Sequence, residues 1–376
     1  MDLSNIRRYL HKHPEPSMRE EKTAQYLHNI LKETGPDSIV ANAGAYSIMA
    51  LYRGGDKGDT VMLRCDIDAL PIEEENLIDY SSVNEGYSHK CGHDGHMTIM
   101  LGLADRLSKR DFNGNVVLLF QSGEETAEGA RAVLDSGYYS EFKPDWIFGL
   151  HNLPGYEEGS IIVKNDIFAS ASKGLKIFLR GETSHAGQPE DGNNPSQAMN
   201  AIINMLQSAP NMYTGFHDNA VVTVVNAALG EVAFGTSPGA ARIFATLRTY
   251  NNAQMMLLSD KIIKMTQSIA AAFELDMEYQ WVEAFPALVN NNTAAEIVRK
   301  AADRAELSIV EADKPFSWSE DFAYYLAQTK GAFFGLGSGF KCRSLHNSDY
   351  DFPEDIIGSG IDMFYSIIHQ INNGVS

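Results

Sequence analysis

Residues 115–121 read Asn-Val-Val-Leu-Leu-Phe-Gln, with no polar residue between the two ends. A strand this apolar on both sides belongs inside a covered sheet, not at its wet surface. Residues 146–150 have the same character. Residues 46–52 and 60–66 are shorter β-rich runs, separated by a Gly/Asp turn at 54–59. Helical patterns lie between the strands. Residues 20–32 put Ala24, Leu27, Ile30 and Leu31 on one face. Residues 94–107 read as a second helix, and 127–135 as a short one closed by Gly137. Apolar strands alternating with helices predict an α/β domain, a mostly parallel sheet covered by helices.

The texture changes near Lys173. Residues 173–179 alternate polar and apolar, as in a sheet with one wet face. A helix at 195–207, strands at 220–229 and 241–249, a long helix at 253–273 and a strand at 275–282 follow. Strand, helix, two strands, helix, strand is the order of an α+β ferredoxin-like domain. After Phe285 the first texture resumes, with a helix at 293–305, a strand at 332–336 and a closing helix at 353–371. The expected organisation is one domain built from 1–171 and 284–376, interrupted by an inserted domain at 172–283.

Charge narrows the function classes. The 376 residues carry a formal net charge of -19, and such a surface repels phosphate backbones and anionic membranes. Neither nucleic acid nor a membrane is expected as a partner. Cys65, Cys91 and Cys342 are odd in number and irregular in spacing, which argues against a disulfide scaffold and for a reducing compartment. The first ten residues have no signal-peptide pattern, and no apolar run approaches membrane-spanning length. The expected location is the cytoplasm.

Five segments carry unusual chemistry for their position. In Leu63-Arg-Cys-Asp-Ile-Asp-Ala-Leu-Pro71, Asp66 and Asp68 end an apolar strand, where α/β sheets face their ligand crevice. Two turn-forming aspartates would read the same way. In His89-Lys-Cys-Gly-His-Asp-Gly-His96, a thiol and an imidazole sit two apart before a helix, a donor pair suited to Zn²⁺ or a similar ion. Asp94 can cap that helix while its second oxygen orients a ligand histidine. In Phe120-Gln-Ser-Gly-Glu-Glu-Thr126, Glu124 and Glu125 follow the buried strand, so one can bind metal while the other faces substrate. Alone, that pair is also a plausible acidic helix start. His151 ends another apolar strand, and His346 lies in a loop after the strand near Phe334. Each is weak singly, but all stand where loops converge at one edge of an α/β sheet.

At these residues the chain resembles the di-metal amidohydrolase branch of the aminoacylase and carboxypeptidase superfamily, which includes hippurate hydrolases, auxin-conjugate hydrolases and N-acetyldiaminopimelate deacetylases. The likeness runs in order along nearly the whole chain. It begins at Arg8-Tyr-Leu-His-Lys-His-Pro-Glu15 and Glu20, and continues through the Asp66, His89–His96 and Glu124 segments and Gly149-Leu-His-Asn-Leu-Pro154. It extends through Ser184-His-Ala-Gly187, Leu247-Arg-Thr249, Ser319-Glu-Asp-Phe322 and Gly331-Ala-Phe-Phe334, and ends at Leu345-His346 and Asp351-Phe352.

The resemblance implies a catalytic α/β domain with a ferredoxin-like lid, and two divalent ions (Zn, Mn, Co or Ni) held by Cys91, His93, Glu125, His151 and His346. It implies cleavage of N-acyl amino acids by a metal-bridged water, with Glu124 as general base. Asp66, Asp68 and Asp94 would support the ligands. His185 would reach the substrate carbonyl and Arg248 its carboxylate, in a homodimer formed through the lid. Two positions depart from the family pattern. Gly235 stands where an asparagine is usual, and Glu190 replaces a second histidine. Both leave the metal residues intact and bear on acyl and side-chain preference. Two alternatives stay open: a dipeptidase or aminopeptidase on the same architecture, and a metal-containing binding protein without turnover.

Overall fold

In the computed structural model, which describes residues 1–215 and 219–372, the apolar strand Asn113–Gln121 lies inside an eight-stranded sheet. Val116, Leu118 and Phe120 join the main apolar cluster. Val117 and Leu119 alternate with them and are just as buried, so both faces of the strand are covered. Its neighbours are Ile48–Arg53, antiparallel, and Gly55–Asp66, parallel. Trp146–Leu153 continues the sheet parallel to Gly55–Asp66, and Lys330–Gly337 runs parallel to Trp146–Leu153. These four parallel strands end at one edge. There Asp66 pairs in register with Gln121, and His151 with Gly335.

Among the described residues the sheet is mixed, with four of its seven pairings parallel, as expected for most of it, and three antiparallel. Ser38–Ala41 and Ile48–Arg53 are joined by a short connection, which can only pair them antiparallel. Ile48–Arg53 is antiparallel to Asn113–Gln121, and Ile161–Val163 to Lys330–Gly337. The turn expected at 54–59 is also corrected. Gly55–Asp66 is one strand with a register shift between Gly55 and Thr60. The amides of Gly54 and Gly55 bond to the carbonyls of Gly114 and Phe112, at 2.8 and 2.9 Å, and hold that stretch to the next strand.

The helix His93–Leu107 is buried on nearly every side, only Asp105 and Arg106 standing outside its buried set. It packs with Leu3–Lys12, Ile357–Asn372 and the strand Gly55–Asp66. Gly95 allows this closeness, since a Cβ there would meet the Phe352 ring at 2.4 Å. The helix Leu3–Lys12 turns Leu3, Ile6 and Leu10, spaced i, i+3 and i+7, toward the main apolar cluster. The Asp2 side chain caps it by accepting from the Asn5 amide at 3.2 Å.

By its contacts the chain forms two units. One comprises 1–168, 288–315 and 320–376, and the other 169–287 with 316–319. The second has a four-stranded antiparallel sheet in the order Ala220–Leu229, Ala240–Thr249, Ala171–Arg180, Asp276–Phe285. The helices Ser196–Tyr213 and Asn252–Ala272 cover it through Leu175, Ile177, Leu179, Ile243 and Leu247. The segment Phe316–Ser319 joins this unit through Ser170, whose amide donates to the carbonyls of Phe316 and Trp318 at 3.0 and 3.1 Å.

Candidate metal centre

The edge where the four parallel strands end gathers the chemistry. Gly92 opens the helix His93–Leu107 in a left-handed conformation (φ 91°), and any side chain there would strike Asn152. This turn sets Cys91 just before the helix and His93 at its first position. The Cys91 Sγ lies 3.3 Å from Nε2 of His151, whose Nδ1 bonds to the carbonyl of Asn152 at 2.9 Å. The His93 Nδ1 is held by Asp68, 2.9 Å from its carbonyl and 3.2 Å from its carboxylate. The Nε2 of His93 therefore points onward, 3.8 Å from Glu125 Oε1, and that same oxygen lies 3.8 Å from His346 Nε2. His346 adopts a positive φ of 66°, and its amide donates to the carbonyl of Lys90 at 2.8 Å.

Asp68 also orders the carboxylate side. Its Oδ2 accepts from Ser17 Oγ at 2.7 Å and from the Glu125 amide at 3.0 Å. Asp66 is fixed at both oxygens, by Arg64 at 2.9 Å and His96 at 2.6 Å. Arg64 is fully buried and also meets Asp321 at 2.9 Å and Glu320 at 3.0 Å. Gln121 Nε2 donates to both oxygens of Asp321 at 2.9 Å. Glu124 groups with Glu320 and Asp321 on one side and with His93 and Glu125 on the other, oxygens and nitrogens within 4.8 Å in each group.

Electrostatics follow from this crowding. Burial, reinforced by the charges of Glu320, Glu125 and Asp321, pushes the Glu124 carboxyl well above the ordinary carboxylate range. Burial raises Glu125 to about 7 against the pull of His93. Burial also opposes charge on His93, but Asp66, Asp68 and Glu125 outweigh it and raise the group to about 10. Two buried atoms, Nε2 of His93 and Oε1 of Glu125, have no hydrogen-bond partner. Buried polar atoms left this way call for an ion or water. A thiol, imidazoles and a carboxylate are the donors a first-row divalent ion takes. Cys91, His93 and His151 form one group with donor atoms within 4.8 Å, and Cys91, Glu125 and His346 another. The residues fit a pair of divalent ions.

A protein-family model, Peptidase family M20/M25/M40, matches residues 62–370. The chain belongs to that family. As an M20 protein it is a hydrolase, and a protein described as an uncharacterized hydrolase from Staphylococcus haemolyticus is 29% identical over 94% of each chain. A structure from methicillin resistant Staphylococcus aureus has a TM-score of 0.88 at 26% identity, over 98% of this chain and 96% of that one. A Bacillus subtilis protein, described as a dinuclear metal binding peptidase of the M20 family, has a TM-score of 0.82 at 28% identity, over 97% and 96%.

Within this M20 chain, Cys91, His93, Glu124, Glu125, His151, His346, Asp66 and Asp68 all lie in the first unit. Asp94 does not take the place expected for it. Gly92, not Asp94, is the cap, and the Asp94 carboxylate turns away to His11 at 2.8 Å and Arg7 at 3.2 Å. Neighbouring helical residues point about 100° apart, so Asp94 cannot share the direction of His93. His185 and Arg248 belong to the second unit. His185 is exposed, its Nδ1 accepting from the Gly187 amide at 3.0 Å. Arg248 donates to the Ser317 carbonyl at 3.0 Å and Ser319 Oγ at 3.3 Å.

The motifs read in the sequence contain Arg64, His96, Asn152, Glu320 and Asp321, but no role was assigned to any of them. One signal was available: an arginine inside an apolar strand must find buried carboxylates. Among the described residues no helix is long and apolar enough to cross a membrane.

Proposed function

We propose that this M20 hydrolase is a two-metal amidohydrolase that splits N-acyl amino acids into a carboxylic acid and a free amino acid. The observation that carries the reading is the convergence of buried Cys91, His93 and His151 with partly buried Glu125 and exposed His346, with buried Glu124 beside them. Those five residues would hold the ions. Bound divalent ions supply Lewis acidity, polarising the amide carbonyl and making water a stronger nucleophile at neutral pH.

Glu124 does the proton work. It takes a proton from the attacking water and returns it to the amide nitrogen, so the C–N bond breaks to a carboxylic acid and an amine. Asp68 orients His93 and the Glu125 backbone.

Arg248 supports an anionic substrate. Among the described residues no acidic side chain offsets its burial, and its half-buried guanidinium is anchored by Ser317 and Ser319. A substrate carboxylate would supply the missing partner through a bidentate contact. We read the second unit as a ferredoxin-like lid that brings His185 to the carbonyl and carries a homodimer interface. The three unpaired cysteines suit a cytoplasmic setting. A dipeptidase or aminopeptidase is the second reading, favoured by the description of the Bacillus subtilis relative.

The test is amino-acid release from N-acetyl, N-benzoyl and longer N-acyl amino acids, against dipeptides, with and without chelator and added metal. Chelator-sensitive release from acyl amino acids alone is expected. Release from dipeptides alone moves the assignment to the peptidase, and no release at all leaves a binding protein.

A further inference from the structure

The run His89–His96 has a third histidine that the proposed chemistry does not use. His96 is buried at 1% exposure, one helical turn after His93 and on the same face. Its Nδ1 lies 2.6 Å from Asp66 Oδ1, and its Nε2 lies 2.6 Å from Asn152 Oδ1. With both ring nitrogens engaged, His96 has no atom left for an ion, although it sits close to Asp66 and His93. His93 differs in this respect, because its Nε2 is unengaged.

His96 nonetheless touches two of the residues that would hold metal. Its ring stacks on His93, with centroids 5.5 Å apart and planes 28° apart. It also meets the His151 ring edge-on at 4.8 Å and 79°. The hydrogen bonds run on through the site. Arg64 fixes Asp66, Asp66 fixes His96, and His96 fixes Asn152. Asn152 Nδ2 then reaches the Tyr350 hydroxyl at 2.6 Å. The Tyr350 carbonyl accepts from Lys90 Nζ at 2.8 Å, and the Lys90 carbonyl accepts from the His346 amide at 2.8 Å. One imidazole thus stands where three ligand-bearing segments are tied together.

We propose that His96 is a positioning residue for the metal pair: it sets the ring planes of His93 and His151 and, through Asn152 and Tyr350, the placement of the His346 loop. The proposal rests on the metal-centre reading above. Losing a partner that orients metal ligands weakens metal binding about 10- to 100-fold.

The experiment titrates metal-free protein with Zn²⁺ against a competing chelator and records the visible spectrum of the Co²⁺-loaded form. Thermal melts of the metal-free proteins run alongside. His96→Phe keeps a ring in place and removes both hydrogen bonds. Its Zn²⁺ affinity is expected to fall at least tenfold, with altered Co²⁺ bands. Full affinity and an unchanged spectrum, even with a lower melting temperature, would make His96 merely structural and overturn the proposal while the metal reading stood. Wild-type protein that takes up no metal would sink the metal reading itself. Should His96→Phe not fold, Tyr350→Phe removes only the hydroxyl at the far end. A several-fold weaker affinity there supports the proposal, and wild-type affinity overturns it.

Discussion

Two buried polar clusters flank the segment that carries Cys91 and His93, and they are built on opposite principles. Behind the segment, Arg7 pairs with Asp94, Asp351 and Glu354, while His11 bridges Asp94 and Glu74. Lys90 meets Glu74 at 2.6 Å. Cations and carboxylates there are nearly matched, and His89 is kept neutral by burial, its group pushed down to about 4. In front, the carboxylates of Asp66, Asp68, Glu124, Glu125, Glu320 and Asp321 gather near one guanidinium, Arg64, which pairs with Asp66, Glu320 and Asp321 alone among them. A matched cluster needs no added charge, even though Asp94 Oδ1 and both ring nitrogens of His89 have no hydrogen-bond partner. A cluster with surplus carboxylates and two orphaned ligand atoms is complete only with added positive charge. Both are buried and both contain histidine, so burial alone would not separate the site from the scaffold.

The hardest strike at this contrast is Glu124→Ala. The front cluster loses its proton carrier and none of its ligand atoms. Turnover of the best acyl amino acid should fall about a hundred- to ten-thousand-fold. Metal content by elemental analysis should stay at the wild-type level. Near-normal turnover would remove Glu124 from the role.

Cys91→Ala separates the clusters in the other direction. It removes a ligand atom from both proposed groups. Bound metal should drop below wild type in the purified protein, with activity following. Because the back cluster does not touch this sulfur, the metal-free melting temperature should change little. An unchanged metal content would show that Cys91 is only a buried thiol.

The same contrast explains what the sequence could and could not disclose. Strand ends were legible, because an apolar run such as 115–121 must be buried and its last residue must emerge at the sheet edge. That reasoning reached Asp66, Glu124, Glu125 and His151. Direction within a helix was not used, although the information was present. His93 and His96 are three apart and share a face, whereas Asp94 faces Arg7. The support role expected of Asp94 thus has its counterpart in His96. Glu320 and Asp321 were harder. They lie in the Ser319-Glu-Asp-Phe322 motif, but nothing in it states their role, which comes from Arg64, more than 250 positions earlier in the chain. The mixed sheet was hidden for a similar reason, since strand direction depends on connections that apolar patterning does not encode.

A smaller effect is expected from Lys90→Met, aimed at the back cluster. Glu74 and Lys90 are both buried, so the variant leaves a carboxylate short of a partner. Unfolding free energy should fall by about 3–5 kcal/mol, reduced to the extent that His11 continues to hold Glu74. Denaturant melts of metal-free protein measure this. A loss under about 1 kcal/mol would mean that Lys90 adds no more than a surface ion pair does.

The gentlest test is pH, and it reads the back cluster alone. Burial works against charge on His11, but its bonds to Asp94 and Glu74 outweigh it and raise the group from 6.5 to about 9. A raised histidine contributes stability that is fully present below its unfolded value and is lost as pH climbs through the folded one. The window is therefore pH 6.5 to 9, and the shift is worth about 3 kcal/mol. Arg7 and the carboxylates of Asp94, Glu74 and Asp351 face the ring, and against the effect of burial Asp94 and Glu74 are held below the ordinary carboxylate range by their bonds to His11. The stability advantage of wild type over His11→Asn, measured by denaturant melts of metal-free protein, should shrink steadily from pH 6.5 to 9. A gap that stays flat would mean that His11 is neutral in the fold. The back cluster would then hold more unmatched negative charge than its contacts imply, and the electrostatic distinction between the two clusters would narrow.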